Sequence, residues 1–383
     1  MSLPGAGKRS ITRDMPTTEQ KPPSPKTGSS PVGIKEIAAA LGTSIGTVDR
    51  ALHSRPGINR ITRSRVLQMA HTMGYKPNLA ARYLKSQKQL RIAVHLPAEI
   101  AFFFDAIRQG IAEAASPFEP DLRIDFATYP RLGKGDAALF KQTLGDGADG
   151  MIICPGAPAT VKPLIHKAAR GNIPVICVAT DAPGTERLAA VTACPFTSGA
   201  VVAELLCRTV RFAGTFALIT GSLKTEDHAE KVEGFRSTMK ALDPNREIAA
   251  IVETQDDARI AYSRTRALLR DRSDVCGVYV GTANSLPVLQ AIAEAGRGER
   301  ISVITTDLFP ALIPLIRSGR ILATIDQRPQ TQGRTALKAR YQFLVDGKYP
   351  APLMKVAPHI VMRSNLELLA ERLSAEPEPV PVR

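Results

Sequence analysis

Arg50 ends the segment Ser44-Ile45-Gly46-Thr47-Val48-Asp49-Arg50. Its guanidinium presents paired donors in the geometry that guanine O6 and N7 accept. Within the same segment Ile45 has the apolar bulk to pack on a thymine methyl, and Gly46 lowers the bulk where its neighbours would approach base edges. Ser44 and Thr47 offer hydroxyls suited to phosphates, contacts that fix register without reading sequence. Asp49 is an acceptor that cytosine N4 can satisfy. This is chemistry for duplex DNA, provided the segment is a helix held so that it can enter a major groove.

The flanking pattern supplies such a helix. Ile34, Ile37, Ala38 and Leu41 recur at three- and four-residue spacing and predict a first helix, stopped by Gly42. Thr43 or Ser44 can cap a second helix, from Ser44 to about Leu52, that buries Val48 and exposes Ile45, Gly46, Asp49 and Arg50. A third helix is expected to open at Thr62, with Val66, Leu67 and Ala70 inward. A fourth helical pattern, Pro77 to Ser86, is too short to hold alone in water and needs a partner.

An ordinary helical hairpin with a solvated Arg50 would look similar, and charge weighs against it. Residues 1–90 hold 15 Lys or Arg against 4 Asp or Glu, so +11 of the formal +14 lies in the first quarter of the chain. That suits a polyanion-binding head on a nearly neutral body. Residues 1–31, rich in Pro and basic residues, read as a mobile arm whose lysines and arginines could add non-specific attraction to DNA.

From Leu90 the texture changes to short apolar runs, such as Gly150–Cys154, Val175–Val178 and Ser302–Thr305, alternating with amphipathic helical patterns. That alternation predicts parallel sheets covered on both faces, and the length suffices for two such units in tandem. The five cysteines have no zinc-binding or disulfide spacing, and no apolar stretch is long enough for a membrane span or a signal peptide. A cytoplasmic protein without metal or cofactor is expected. Clustered glycines of a nucleotide loop and a nucleophile elbow are absent from the sequence, which argues against an enzyme.

Three ordered stretches carry a more specific likeness: Ile34 to Ala38, Thr43 to Arg50, and Gly74-Tyr75-Lys76-Pro77-Asn78-Leu79-Ala80-Ala81-Arg82-Tyr83-Leu84. Together they resemble the lactose repressor (LacI) family of transcription regulators. Asp49 departs from that family's pattern, which has serine there, and the change places a negative charge beside phosphates or base edges. The resemblance implies a hinge helix over Pro77 to Ser86 that forms on DNA and meets its twin at the minor groove. Asn78, Ala81 and Leu84 would touch DNA there, Leu84 as an apolar wedge.

It further implies a body like the periplasmic sugar-binding proteins, with two doubly wound lobes and a ligand cleft beyond the strand ends. The fold class expected is therefore an α/β two-lobed body behind an all-α helix-turn-helix head. The boundaries expected are an arm over 1–31, the head over 32–76, the hinge and linker over 77–89, the body over 90–364 and a tail over 365–383. Lobe 1 would comprise about 90–190 plus 326–350, and lobe 2 about 191–325 plus 351–364, with crossings near Ala190 and Asp326.

By the same resemblance the cleft would be lined by Phe103, Phe104, Asp181, Lys231, Asn284, Asp307 and Gln327. Phe103 and Phe104 would stack on a sugar's CH face, although their spacing fits core packing equally well. Lys231 stands where the family often has arginine, so a point charge replaces a planar fork, for which nearby Lys224 and His228 could compensate. Gln327 suits a hinge or turn as well as a contact, and Asp181 could replace, after a local shift, an aspartate that relatives often have close to position 179. The function implied is a homodimeric regulator of double-stranded operator DNA, a repressor before an activator of the same architecture, modulated by a small polar effector such as a sugar. A sugar phosphate or organic acid stays open because of the lysines and His228. A transporter's solute-binding receptor could share the body but would lack Ile34–Leu84.

Overall fold

The computed structural model describes residues 33–52, 56–73, 89–118 and 121–369. They fall into two compact units that divide after Asn78.

The first unit has three helices, α1 (Ile34–Leu41), α2 (Ile45–Leu52) and α3 (Arg60–Thr72). Gly42 closes α1 in the left-handed region at φ 60°. Ser44 caps α2, its Oγ accepting from the Thr47 N–H at 3.1 Å. Asn59 does the same for α3, with Oδ1 accepting from the Thr62 N–H at 2.7 Å, so α3 begins two residues before the expected Thr62. Ile37, Ala38, Val48, Ala51, Val66 and Ala70 form the small core. Leu67 was expected inward and is instead 46% exposed, because Val66 and Ala70 already define the buried stripe of α3.

The second unit holds two six-stranded sheets. The first contains β1 (Leu90–Pro97), β2 (Leu122–Tyr129), β3 (Gly150–Ile153), β4 (Val175–Val178), β5 (Ala189–Ala193) and β11 (Leu353–Val356), in the order β11-β5-β4-β3-β1-β2. The second contains β6 (Thr215–Thr220), β7 (Ile248–Glu253), β8 (Val275–Val280), β9 (Ser302–Thr306), β10 (Ala323–Asp326) and β12 (His359–Val361), in the order β12-β10-β9-β8-β6-β7. Position for position the two orders are the same. All pairings are parallel except the antiparallel β10–β12 edge. Strands such as β3, β4, β6 and β8 are buried throughout, as sheets covered on both faces require.

Lobe 1 packs α4 (Ala101–Ala115), α5 (Asp136–Gly145), α6 (Pro158–Arg170) and α12 (Pro329–Asp346) around the first sheet. Lobe 2 packs α7 (Pro195–Thr209), α8 (Glu226–Leu242), α9 (Ala258–Asp271) and α10 (Ser285–Glu294) around the second, with the short α11 (Ile313–Arg317) beside its C-terminal edge. The chain passes between sheets after β5, after β10 and between β11 and β12. The first crossing thus follows Ala193 rather than Ala190. Residues 351–356, expected in lobe 2, lie in the first sheet, because Leu353–Val356 pairs in parallel with Ala190–Ala193.

Each lobe joins the helix after its first strand to a crossing helix that opens on proline, where the missing N–H costs nothing. In lobe 1, a Cβ on Gly110 of α4 would stand 2.0 Å from the Gln330 carbonyl oxygen, and one on Gly333 of α12 would stand 2.2 Å from that of Ile107. In lobe 2, Gly199 of α7 and Gly234 of α8 repeat the arrangement against the Lys231 and Phe196 carbonyls, at 1.9 and 2.0 Å. Backbone lies against backbone at both crossings, so neither can accept a methyl group without moving a helix.

Gly110→Ala is therefore expected to destabilise the body by roughly 1–3 kcal/mol through overpacking. Gly145→Ala, where nothing lies within 4 Å of the added carbon, serves as the neutral control. Thermal unfolding of the two variants decides it: equal melting temperatures would show that the crossing has slack.

Candidate DNA-reading and effector sites

α2 turns Val48 and Ala51 into the head's core. Ile45, Gly46 and Arg50 lie on the exposed side, with Ile45 51% exposed and Asp49 half-buried beside them. At helical spacing, positions 45, 46, 49 and 50 share one face, the arrangement that base reading needs. The Ser44 hydroxyl is engaged in capping and lies 2.9 Å from Thr47 Oγ1, so these two hydroxyls shape the helix entry. Asn78, Ala81 and Leu84 fall outside the described residues.

In lobe 2, Lys231 sits one turn beyond Asp227 on α8, is 2% exposed, and donates from Nζ to Asp227 Oδ2 at 2.6 Å. Burial works against its charge, but Asp227, with Tyr279 and Asp307 nearby, outweighs it and holds the ammonium above the ordinary lysine range. Asp307 follows β9 at φ 68°, where the chain turns sharply. Its Oδ1 accepts from Gln327 Nε2 at 2.8 Å, and its backbone is pinned by Thr324 Oγ1, which donates to the Asp307 carbonyl at 2.5 Å. Gln327 is itself buried, and its carbonyl accepts from Gln332 Nε2 at 2.8 Å. Burial pushes the Asp307 carboxyl up to about 7, despite Lys231 and the Gln327 donor. Sequence positions 231, 307 and 327 are thus brought together.

Asn284 precedes α10 and makes no side-chain cap; its Nδ2 is buried and has no protein acceptor. His228 is held by Thr220 Oγ1 at 3.1 Å on Nδ1 and faces Asp256 Oδ2 at 3.5 Å from Nε2. Burial acts to raise the Asp256 carboxyl, yet His228 and Thr282 carry it below its usual value.

In lobe 1 the Asp181 carboxylate is gripped by both Nε and Nη2 of Arg187, the latter at 2.6 Å, and Arg187 also donates to the Pro352 carbonyl at 3.1 Å. Asp181 still borders a cavity of about 310 Å³ whose walls come from both lobes, including Gly156 and Thr180 on one side and Glu226 and Asp227 on the other. Phe103 and Phe104 pack perpendicular to each other, 5.1 Å between centroids, inside the lobe 1 core. The aromatic that reaches lobe 2 is Phe102, stacked on Phe309 at 4.3 Å. The sequence reading missed Phe102, Asp227 and Asp256; the four-residue spacing of Asp227 to Lys231 was the available signal for the second.

Residues 92–348 match the periplasmic binding protein domain family, and residues 33–78 match the bacterial regulatory proteins of the lacI family. The chain belongs to the periplasmic binding protein domain family and carries a lacI-family head. Catabolite control protein A of Priestia megaterium is 23% identical over 66% of this chain and 74% of its own length. The D-ribose/D-allose-binding protein of Pseudomonas aeruginosa is 24% identical over 68% of this chain and 85% of its own. The HTH-type transcriptional regulator AglR of Rhizobium meliloti is 34% identical over 30% of this chain and 33% of that protein. Among solved structures, a solute-binding protein of Agrobacterium vitis bound to α-D-tagatopyranose shares the fold at TM-score 0.69 and 20% identity, covering 75% of this chain and all of that one.

These families are non-catalytic, and among the described residues no three His, Cys, Asp or Glu side chains are grouped to hold a metal. No described helix is long and apolar enough to cross a membrane.

Two outcomes follow from the site geometry. Arg50→Ala is expected to remove roughly 1–3 kcal/mol of sequence discrimination and to weaken random-duplex binding less. Titration against DNA selected by the wild-type chain and against random DNA separates the two, and equal losses would reject base reading by Arg50. For Asp307, the native chain keeps a proton that the unfolded chain loses between about pH 4 and 7. Stability therefore falls as pH rises through that window. Asp307→Asn should melt higher than wild type at pH 8 without ligand and lose that advantage by pH 4; a gain that ignores pH would remove burial of the charge as its cause.

Proposed function

We propose that this protein is a cytoplasmic, dimeric transcription repressor whose operator affinity is set by a neutral, hydroxyl-rich effector, a sugar or sugar derivative, bound between the two lobes. The observation that carries the effector class is charge balance. The Lys231 ammonium and the Arg187 guanidinium already have carboxylate partners, Asp227 and Asp181, and the His228 ring faces Asp256. A phosphate or carboxylate would have to displace one of those partners, leaving a carboxylate unpaired in a low-dielectric site. Lys224 and Lys355 border the cavity but are exposed, where solvent weakens their pull.

What stays available suits hydroxyl groups. Asn284 Nδ2 is a buried donor without an acceptor, and Asp307 and Gln327 offer remaining acceptor positions beside it in chain order at the strand ends. A ligand that satisfies these groups is favoured, because an unmade buried hydrogen bond is costly. The sugar-binding relatives support the same class. Asp181, held by Arg187, would contribute through its outer face or not at all, and Phe103 and Phe104 would shape the wall from within the core.

On the DNA side, a twofold dimer would place two heads on half-sites of a palindrome, with Arg50, Ile45, Gly46 and Asp49 toward the bases, Ser44 and Thr47 toward the backbone, and the 77–86 hinge at the minor groove. An effector that prefers one lobe arrangement would shift the affinity for DNA by linkage.

Thermal shift of the full chain against a panel of neutral pentoses, hexoses and polyols, their phosphates and small organic acids tests this reading, followed by DNA titration with each stabilising compound. Neutral sugars should stabilise and change duplex affinity. Stabilisation by the phosphates or acids alone would overturn the effector class, and an unchanged duplex affinity with the cleft occupied would overturn the switch.

A further inference from the structure

Phe102, Phe103 and Phe104 are consecutive on the first turn of α4, and only two of them fit that helix's buried stripe. Phe103, Phe104, Ile107, Ile111 and Ala114 recur at three- and four-residue spacing and enter the lobe 1 core. Phe102 is turned about 100° from Phe103 and stays at the rim of that core. It finds cover on the other lobe. Its ring stacks on Phe309 with centroids 4.3 Å apart and planes 27° from parallel, and it packs against the cluster formed by Leu308, Phe309, Leu312 and Ile316. Among the described residues Phe102 is the side chain shared by the lobe 1 core and that lobe 2 cluster.

The lobe 2 side is built to present a ring. Asp307 turns the chain at positive φ, Phe309 follows in an extended conformation with φ −142°, and Pro310 starts the next turn. Phe309 is only 7% exposed, so parting the lobes would return two aromatic faces to water at once.

We propose that Phe102 and Phe309 form an aromatic clasp that holds the two lobes together in one arrangement. The clasp is built from the chain's own side chains and does not depend on which ligand the cleft takes. Because Phe309 lies two residues beyond Asp307, clasp closure and occupancy at Asp307 act on the same loop.

The test is a double-substitution cycle on the full chain, Phe102→Ala, Phe309→Ala and both together, followed by thermal unfolding without added sugar. A clasp predicts non-additive melting temperatures, the second substitution costing less than it does alone, and strict additivity overturns it. Should an alanine variant fail to fold by circular dichroism, Phe102→Leu, Phe309→Leu and their pair replace it, read by the same criterion.

Discussion

An ammonium group taken almost wholly out of water is the constraint on which the second lobe's cleft face depends. Burying Lys231 without compensation would cost several kcal/mol, and the surroundings answer that cost in layers. Asp227, one helical turn earlier, supplies the direct partner, and Asp307 and Tyr279 sit near enough to act on the charge. Asp307 in turn is positioned by Thr324 on β10 and by Gln327 just after that strand. The backbone of Lys231 is fixed from the other side, where its carbonyl lies against Gly199 of α7. A single close helix crossing thus sets where the ammonium stands, and the ammonium sets which carboxylates are already committed.

The same crossing recurs in lobe 1, and its repetition explains more than packing. Both sheets have one strand order, both lobes send a proline-initiated helix back across the first helix, and both crossings use glycine on each partner. The lobe 1 crossing holds α4, whose first turn carries Phe102; the lobe 2 crossing holds α8, which carries Asp227 and Lys231. Lobe 2 therefore presents Asp227 and Lys231, and lobe 1 presents Phe102, from the first turns of the helix that the glycine contact locks in place. Side chains on such elements keep their positions better than side chains on loops.

How much of this the sequence discloses depends on the range of the interaction. The head was legible because its helices are local: apolar spacing, Gly42 and the Ser44 cap all act within a few residues. Most strands of the body were legible because they are buried on both faces and read as continuous apolar runs. β11 was not, since as an edge strand its pattern is largely exposed, and neither was α5, which buries only Asp136, Phe140 and Thr143 and so shows almost no apolar stripe. The family likeness named Asp307 and Gln327, but their hydrogen bond spans twenty residues and depends on the turn at Asp307. The engagement of Asp181 by Arg187, and the choice of Phe102 over its two neighbours as the residue that leaves its own lobe, are consequences of tertiary geometry that no local spacing encodes.

Three chain crossings join the lobes, and none of them is a long element shared by both sheets. The Ala193–Pro195 and Asp326–Pro329 connections are short and end in proline, while residues 357–358 lie between the edge strands of opposite sheets. Rotation between lobes can then be absorbed by a few backbone torsions without disturbing either core, the behaviour of a hinge. Such a body responds to a ligand only by the difference in affinity between its lobe arrangements, however tightly the ligand binds. Polar groups on one lobe alone would bind without switching. The cavity bordered by Asp181 and Thr180 on one lobe and Asp227 and Glu226 on the other meets the stricter condition, because its two walls cannot be engaged together unless the lobes keep one separation.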